Sequence, residues 1–289
     1  MKVKFWGTRG SIPVPGSSTL KYGGNTPCIQ ITSDNDTIIL DAGTGIRELG
    51  NFLVKENFDH RIINILISHT HYDHIQGLPF FAPFYDERFE INIYASVIEN
   101  SKVEHIIDYQ MQPFFFPVKR DIFKAKVNFY MIQENSVFDI SSVNVQTSMV
   151  NHSNDTLSFK LSESGKSLVY MTDNEIKFHQ LSIDPEENRI ISLNNEIIQF
   201  CNKSEYLIHD CMYNQQTFED KLGWGHSNNI ALAYFAMIAD VKNLILFHYD
   251  PDYSDDMVKE MLIETSGIIS GSGKFINCIS SFEGLEFDC

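Results

Sequence analysis

Positive charge is scarce in this chain. Its 289 residues carry 22 Lys and Arg against 38 Asp and Glu, a formal net charge of −16. A field of that sign repels polyanions and argues against binding extended nucleic acid. It leaves room for a small anion held by metal ions. Cysteine is sparse too: Cys28, Cys201, Cys211, Cys278 and Cys289 are odd in number, and none has Cys-x-x-Cys spacing. They read as neither a disulfide framework nor a cysteine zinc site, so we expect free thiols and a cytoplasmic protein. No apolar run approaches the roughly 20 residues that span a bilayer, so no membrane span is expected. The start, Met1-Lys2-Val3-Lys4-Phe5-Trp6, alternates like a strand rather than reading as a signal peptide. No low-complexity linker divides the chain, so residues 1–289 are expected to form one domain.

Histidine, by contrast, is concentrated. Ser68-His69-Thr70-His71-Tyr72-Asp73-His74 packs three histidines and one aspartate into six residues, straight after the apolar run Ile62 to Ile67. That run reads as a buried strand. Imidazole and carboxylate at this density suit a borderline metal such as zinc. In extended chain His69 and His71 point the same way and can reach one ion. Asp73 and His74 follow where the chain turns and can face a second.

Apolar patterning predicts further strands over Lys2–Trp6, Cys28–Ser33, Thr37–Leu40, Glu90–Ala95, Val127–Ile132, Val143–Met149, Thr156–Leu161, Ser167–Met171, Tyr206–Ile208 and Leu244–Phe247. Helices are expected from Asp41-Ala42-Gly43-Thr44-Gly45 through about Lys55, and over Ser101–Met111, Pro185–Cys201, Asn228–Ala239 and Asp255–Glu264. Two glycine-rich loops, Gly7 to Pro13 and Tyr22 to Thr26, read as tight turns; neither matches a phosphate-loop fingerprint. The aromatics near Phe80 and Phe114 are expected to pack in the core or against a second subunit. Strands and helices recur through both halves, which gives an α/β fold of two sheets sandwiched between helices.

The His69–His74 motif resembles the signature of the metallo-β-lactamase-fold hydrolases. That resemblance implies a four-layer αββα sandwich and two metal ions per chain, zinc or else manganese or iron. Carried over residue by residue, it implies that His69, His71 and His152 hold one ion, that Asp73, His74 and His248 hold the other, and that Asp173 bridges them. Asp41 matches an aspartate that lies beneath the metal site and orients ligands; read from its place alone, it serves equally as a turn or helix-cap residue. His60, His105 and His179 match nothing and are expected at the surface or in packing. Two metals of this kind lower the pKa of a water from about 15.7 toward about 7, and Asp73 could orient that nucleophile.

Gly223-Trp224-Gly225-His226-Ser227-Asn228 resembles the motif of the ribonuclease Z branch and its small phosphodiesterase relatives. It implies that His226 is not a ligand but assists the leaving oxygen, held by Asp210 of the His209-Asp210 pair. The basic, glycine-rich arm of ribonuclease Z is not evident; Asn100 to Lys126, the candidate insertion, reads as helical and aromatic. The stretch from Phe5 to Pro13 is similar to the start of bacterial and phage proteins. Among these the phage anti-Pycsar proteins degrade cyclic nucleotides and blunt host defence. The expectation is therefore a homodimeric two-zinc phosphodiesterase acting on a small anionic nucleotide such as a 3′,5′-cyclic mononucleotide. A transfer-RNA 3′ endonuclease and a non-catalytic metal-binding signalling module are the alternatives.

Overall fold

The computed structural model describes residues 1–33, 36–55, 61–96, 102–153, 155–177 and 187–289. Ser101, Pro185, His60 and His179, which entered the expectations above, lie outside the described residues. The first sheet uses β1 (Lys2–Gly7), β2 (Cys28–Ser33), β3 (Asp36–Leu40), β4 (Ile62–Ile67), β5 (Glu90–Ala95) and β6 (Lys126–Met131). The second uses β7 (Val137–Ile140), β8 (Val143–Met149), β9 (Leu157–Glu163), β10 (Lys166–Met171), β11 (Tyr206–Asp210), β12 (Asn243–Phe247) and β13 (Asn277–Ser280). A last strand, β14 (Glu286–Asp288), returns to the first sheet beside β1.

The strand orders are β14-β1-β2-β3-β4-β5-β6 and β13-β12-β11-β10-β9-β8-β7. Each sheet is antiparallel on one side and parallel on the other. The switch falls at β3 in the first sheet and at β10 in the second. The hairpin of β9 and β10 turns through Ser164 and Gly165, both at positive φ, as a two-residue turn requires.

Strand alternation sorts the side chains into layers. Ile38 and Leu40 of β3 join the core between the sheets, with Phe5, Leu66, Phe159, Tyr170, Ile208 and Phe247. Ile39 faces the other way. It packs with Ile63, Ile65 and Ile67 against Ile46, Leu49 and Leu53 of α1 (Ile46–Lys55). On the far face, Val169, Leu207 and Leu244 meet α4 (Glu187–Cys201), α6 (Asn229–Ile238) and α7 (Asp255–Gly271). The result is the expected αββα sandwich. Three short helices complete the set: α2 (Tyr72–Ile75), α3 (His105–Gln110) and α5 (Gln215–Phe218).

Differences from expectation are local. The stretch around 101–111 yields only the six residues of α3, and the following aromatics are not core: Phe114 and Phe115 stand exposed. α7 runs seven residues past Glu264, because nothing in Thr265-Ser266-Gly267 breaks it and Thr265 Oγ1 back-bonds to the Met261 carbonyl at 2.7 Å. No described helix is long and apolar enough to cross a membrane. All five cysteines are unpaired.

Candidate metal centre

The site is assembled where strands end. Asp41 follows β3, Ser68 and His69 follow β4, and His152 follows β8. Asp173 follows β10, Asp210 closes β11, and His248 follows β12. The extended run ends at His71, and Asp73 and His74 sit in the first turn of α2. Asp41, Asp173 and His248 leave their strands with φ of 58°, 48° and 61°. A left-handed residue reverses the chain within one step and aims its side chain back over the sheet edge.

These residues converge. Atoms of His69, His71, His152 and Asp173 that could ligate an ion lie within 4.8 Å of one another, as do those of Asp73, His74 and His248. Asp173 lies between the two groups. Its Oδ2 is 3.5 Å from His69 Nε2 and 3.7 Å from His152 Nε2. Its Oδ1 is 3.2 Å from His74 Nε2 and 3.3 Å from His248 Nε2. Asp73 Oδ2 sits 3.3 Å from His74 Nε2 and 3.1 Å from His248 Nε2. All seven residues singled out by the sequence are thus in one cluster, and Asp173, His226 and His248 form a third group of the same kind. His105 lies away from it, on α3.

The surrounding contacts fix which nitrogen of each ring is free. Asp41, fully buried, accepts from Ser68 N–H at 2.7 Å, Ser68 Oγ at 2.8 Å and Tyr170 OH at 2.7 Å. His74 Nδ1 lies 2.8 Å from the same carboxylate and donates to it, which leaves Nε2 to face the cluster. Because Ser68 Oγ gives its proton to Asp41, it accepts from His69 Nδ1 at 3.1 Å, and His69 Nε2 is likewise left free. His152 Nδ1 donates to the Gly225 carbonyl at 2.9 Å. Asp41 therefore lies beneath the cluster as an orienting group; it does not cap α1, which begins five residues later.

This is an arrangement that fits cations. His69 Nε2 and His74 Nε2 are buried and have no hydrogen-bond partner, an unusual cost unless something else binds there. Asp41, Asp73 and Asp173 are buried carboxylates, and among the described residues no Lys or Arg pairs with any of them. Burial pushes His69, His71 and His152 below the ordinary imidazole range, so they are neutral, as ligands must be. Burial would lower His74 as well, but Asp73, Asp173 and Asp41 outweigh it and raise the group. Burial would raise Asp73, yet His74 and His248 hold it far below the carboxylate range.

Two glycines press on the rings. A Cβ on Gly10 would lie 2.6 Å from His248 Cε1, and one on Gly225 would lie 2.2 Å from His152 Nδ1. The same first loop sends Ser11 N–H to Asp73 Oδ2 at 2.7 Å. Sequence reasoning read this loop as a tight turn and as part of a family resemblance but gave it no contact with the site, because a backbone donor and a missing Cβ leave no chemical signature.

His226 stands beside the cluster. Its ring stacks on His248 with centroids 5.3 Å apart and meets His152 edge-on at 5.2 Å. Nδ1 is 2.8 Å from Asp210 Oδ2, as the His-acid pairing anticipated. Burial would lower the His226 pKa; the Asp210 carboxylate more than offsets that and raises it to about 9. His209 is not free to do the same. Its Nδ1 donates to the Asp210 carbonyl at 2.7 Å and its Nε2 accepts from Asn174 at 3.0 Å.

Comparison with known proteins agrees with this geometry. The family described as "Beta-lactamase superfamily domain" matches residues 36–249. Ribonuclease Z of Picrophilus torridus is 25% identical over 99% of this chain and 95% of its own length. Among solved structures, the metallo-β-lactamase fold protein YhfI of Bacillus subtilis superposes with a TM-score of 0.68 at 15% identity, covering 99% of each chain. A diphosphatase of the PhnP family gives 0.69 at 14% identity over 100% of this chain and 97% of its own. Along nearly its whole length the chain is similar to ribonuclease Z, and it belongs to the β-lactamase superfamily.

Proposed function

We propose that the protein is a two-zinc phosphodiesterase that opens 3′,5′-cyclic mononucleotides, with residues 1–289 acting as one catalytic domain. His69, His71 and His152 would hold one ion, Asp73, His74 and His248 the other, with Asp173 shared. Manganese or iron would suit the same donors. When bound, two such ions polarise a phosphoryl oxygen and lower the pKa of a water from about 15.7 to about 7. Asp73, held ionised, orients the attacking water. His226 gives its Nε2 proton to the departing oxygen, and Asp210 steadies the imidazolium and keeps the ring in place. Asp41 sets the tautomers of His74 and, through Ser68, of His69.

The observation that carries this reading is the His226–Asp210 pair. It puts an imidazole raised to about 9 against the cluster with Nδ1 tied to Asp210, close enough to Asp173 and His248 that metal analysis of a His226 variant must separate a proton donor from a ligand. The net charge of −16 favours a small anion over a polymer. Unpaired thiols favour the cytoplasm, and exposed Phe80, Phe114 and Phe115 favour a homodimer that covers them. A phage anti-defence role of the anti-Pycsar kind is consistent with such a substrate.

The curated relatives favour a second reading, a transfer-RNA 3′ endonuclease, since the Picrophilus protein is a ribonuclease Z. One panel separates the two: cyclic nucleotides, linear dinucleotides and precursor transfer RNA incubated with the zinc-loaded protein. Consumption of cyclic nucleotides alone supports the first reading. Trimming of precursor RNA with cyclic nucleotides untouched sinks it in favour of the second, and turnover of nothing favours a non-catalytic module.

A further inference from the structure

Trp224 stands two residues before His226 with 57% of its surface in solvent. Exposure of a single apolar side chain is ordinary. Its mounting is not. Glu175 Oε2 accepts the backbone N–H groups of Gly223 and Gly225, each at 2.9 Å, so one carboxylate oxygen clamps the chain on both sides of the indole. The N–H of Trp224 itself donates to the Lys221 carbonyl at 3.1 Å. Both glycines sit at φ of 83°, where side chains are rarely tolerated. Beyond His226, Ser227 Oγ donates to the Asn174 carbonyl at 2.5 Å and accepts from Ile176 N–H at 3.1 Å. The loop is thus fastened at both ends to the segment that carries Asp173. Lys221 Nζ lies 3.9 Å from the centre of the indole ring, a cation over one face.

We infer that Trp224 is the platform on which the base of the nucleotide substrate stacks, using the face opposite the one that Lys221 covers. This deepens the nucleotide reading above and rests on it. A base presents a π face whatever its identity, and an indole presents the largest matching surface. Because three consecutive amides are already tied, little further ordering is needed on binding. Two residues of chain span at most about 7 Å, on the order of the ribose that separates base from phosphate. A phosphate delivered to His226 would therefore leave its base within reach of Trp224. In a chain of net charge −16, a lone ammonium beside the ring also gives an anionic nucleotide a local attraction.

The test uses the two tryptophans of the chain, Trp6 and Trp224. Trp6 packs on Phe52 at 5.6 Å, on the helix side of the first sheet, so Trp6→Phe leaves Trp224 as the sole tryptophan, excited selectively over the tyrosines. The zinc-loaded Trp6→Phe protein is titrated with AMP, CMP and ribose 5-phosphate. Both nucleotides should quench the emission and the sugar phosphate should not. Trp224→Ala should weaken nucleotide binding roughly tenfold to a hundredfold and leave ribose 5-phosphate unchanged, with Trp224→Phe recovering most of the loss. Absent quenching, equal quenching by the sugar phosphate, or equal weakening of both ligands would overturn the platform. Binding needs no turnover, so the two ideas fail separately. Base-dependent quenching without cyclic-nucleotide hydrolysis sinks the activity alone, and hydrolysis without quenching sinks the platform alone.

Discussion

The two halves of the cluster are built differently. Asp73, His74 and His248 are all buried, and each is backed by something rigid: Ser11 N–H on Asp73, Asp41 on His74, Gly10 against the His248 ring. In the other half His71 is partly exposed, and the buried His152 ring is oriented by a loop carbonyl, that of Gly225. One half is set into the sandwich; the other reaches solvent through His71 and takes part of its geometry from the loop that carries His226. An ion in the first should be hard to remove and an ion in the second easy to reach, by substrate or by chelator. A single chain can in this way combine a structural anchor with an accessible reaction centre.

The largest expected effect joins the halves. Asp173 turns one oxygen to each, so Asp173→Asn should deplete metal from both and reduce hydrolysis to background; elemental analysis beside a rate assay reads this. Depletion of only one half would make the asymmetry sharper than drawn here.

Next comes His226→Ala, which should leave metal content intact and slow cleavage of a cyclic nucleotide by about 10²–10⁴-fold. A nitrophenyl phosphodiester, whose leaving oxygen needs little protonation, should lose much less. Asp210→Asn should follow the same pattern more weakly. Equal slowing of both substrates, or loss of an ion, would return His226 to the ligand set.

Asp41→Asn should weaken metal affinity about 10–100-fold, the usual worth of an orienting partner. It touches His74 directly and His69 only through Ser68, so competition with a chelator should drain the buried half first. Simultaneous release would break the comparison.

The smallest effect is in pH. His226 has its pKa raised to about 9, so its proton is present below that value and lost as pH rises through it. Cations in the cluster would cancel part of the pull of Asp73 and Asp173, placing the limb at or below about 9. Cyclic-nucleotide turnover should fall there, and the limb should vanish in His226→Ala.

The sandwich and the first residues of the cluster were legible because their signals are local. Ile62 to His74 combines an unbroken apolar strand with dense ligands, and the order of residue types is enough. His152, Asp173 and His248 were legible only through likeness to a family: each is a lone residue after an unremarkable strand, and the sheets supply the proximity. The strands β7, β13 and β14 left weak traces, being three or four residues long with polar residues interleaved at the sheet edges. Glu175 was closed to sequence reasoning for another reason. It acts on backbone amides, and a glutamate after a strand gives no sign of which amides will reach it.

The left-handed backbone at Asp41, Asp173 and His248 has a consequence for folding stability. Such a conformation costs roughly 1 kcal/mol or more per residue, at three places in one site, against a net stability of about 5–15 kcal/mol for a typical domain. Two of the three are also buried carboxylates. The metal-free protein should therefore be frustrated within the cluster, and Asn, which tolerates the left-handed region and carries no charge, should relieve part of that. Asp173→Asn, inert as an enzyme, should melt at a higher temperature than the metal-free parent and at a lower one than the parent loaded with zinc. Function and foldability would then pull in opposite directions at one side chain, with the metal ion reconciling them.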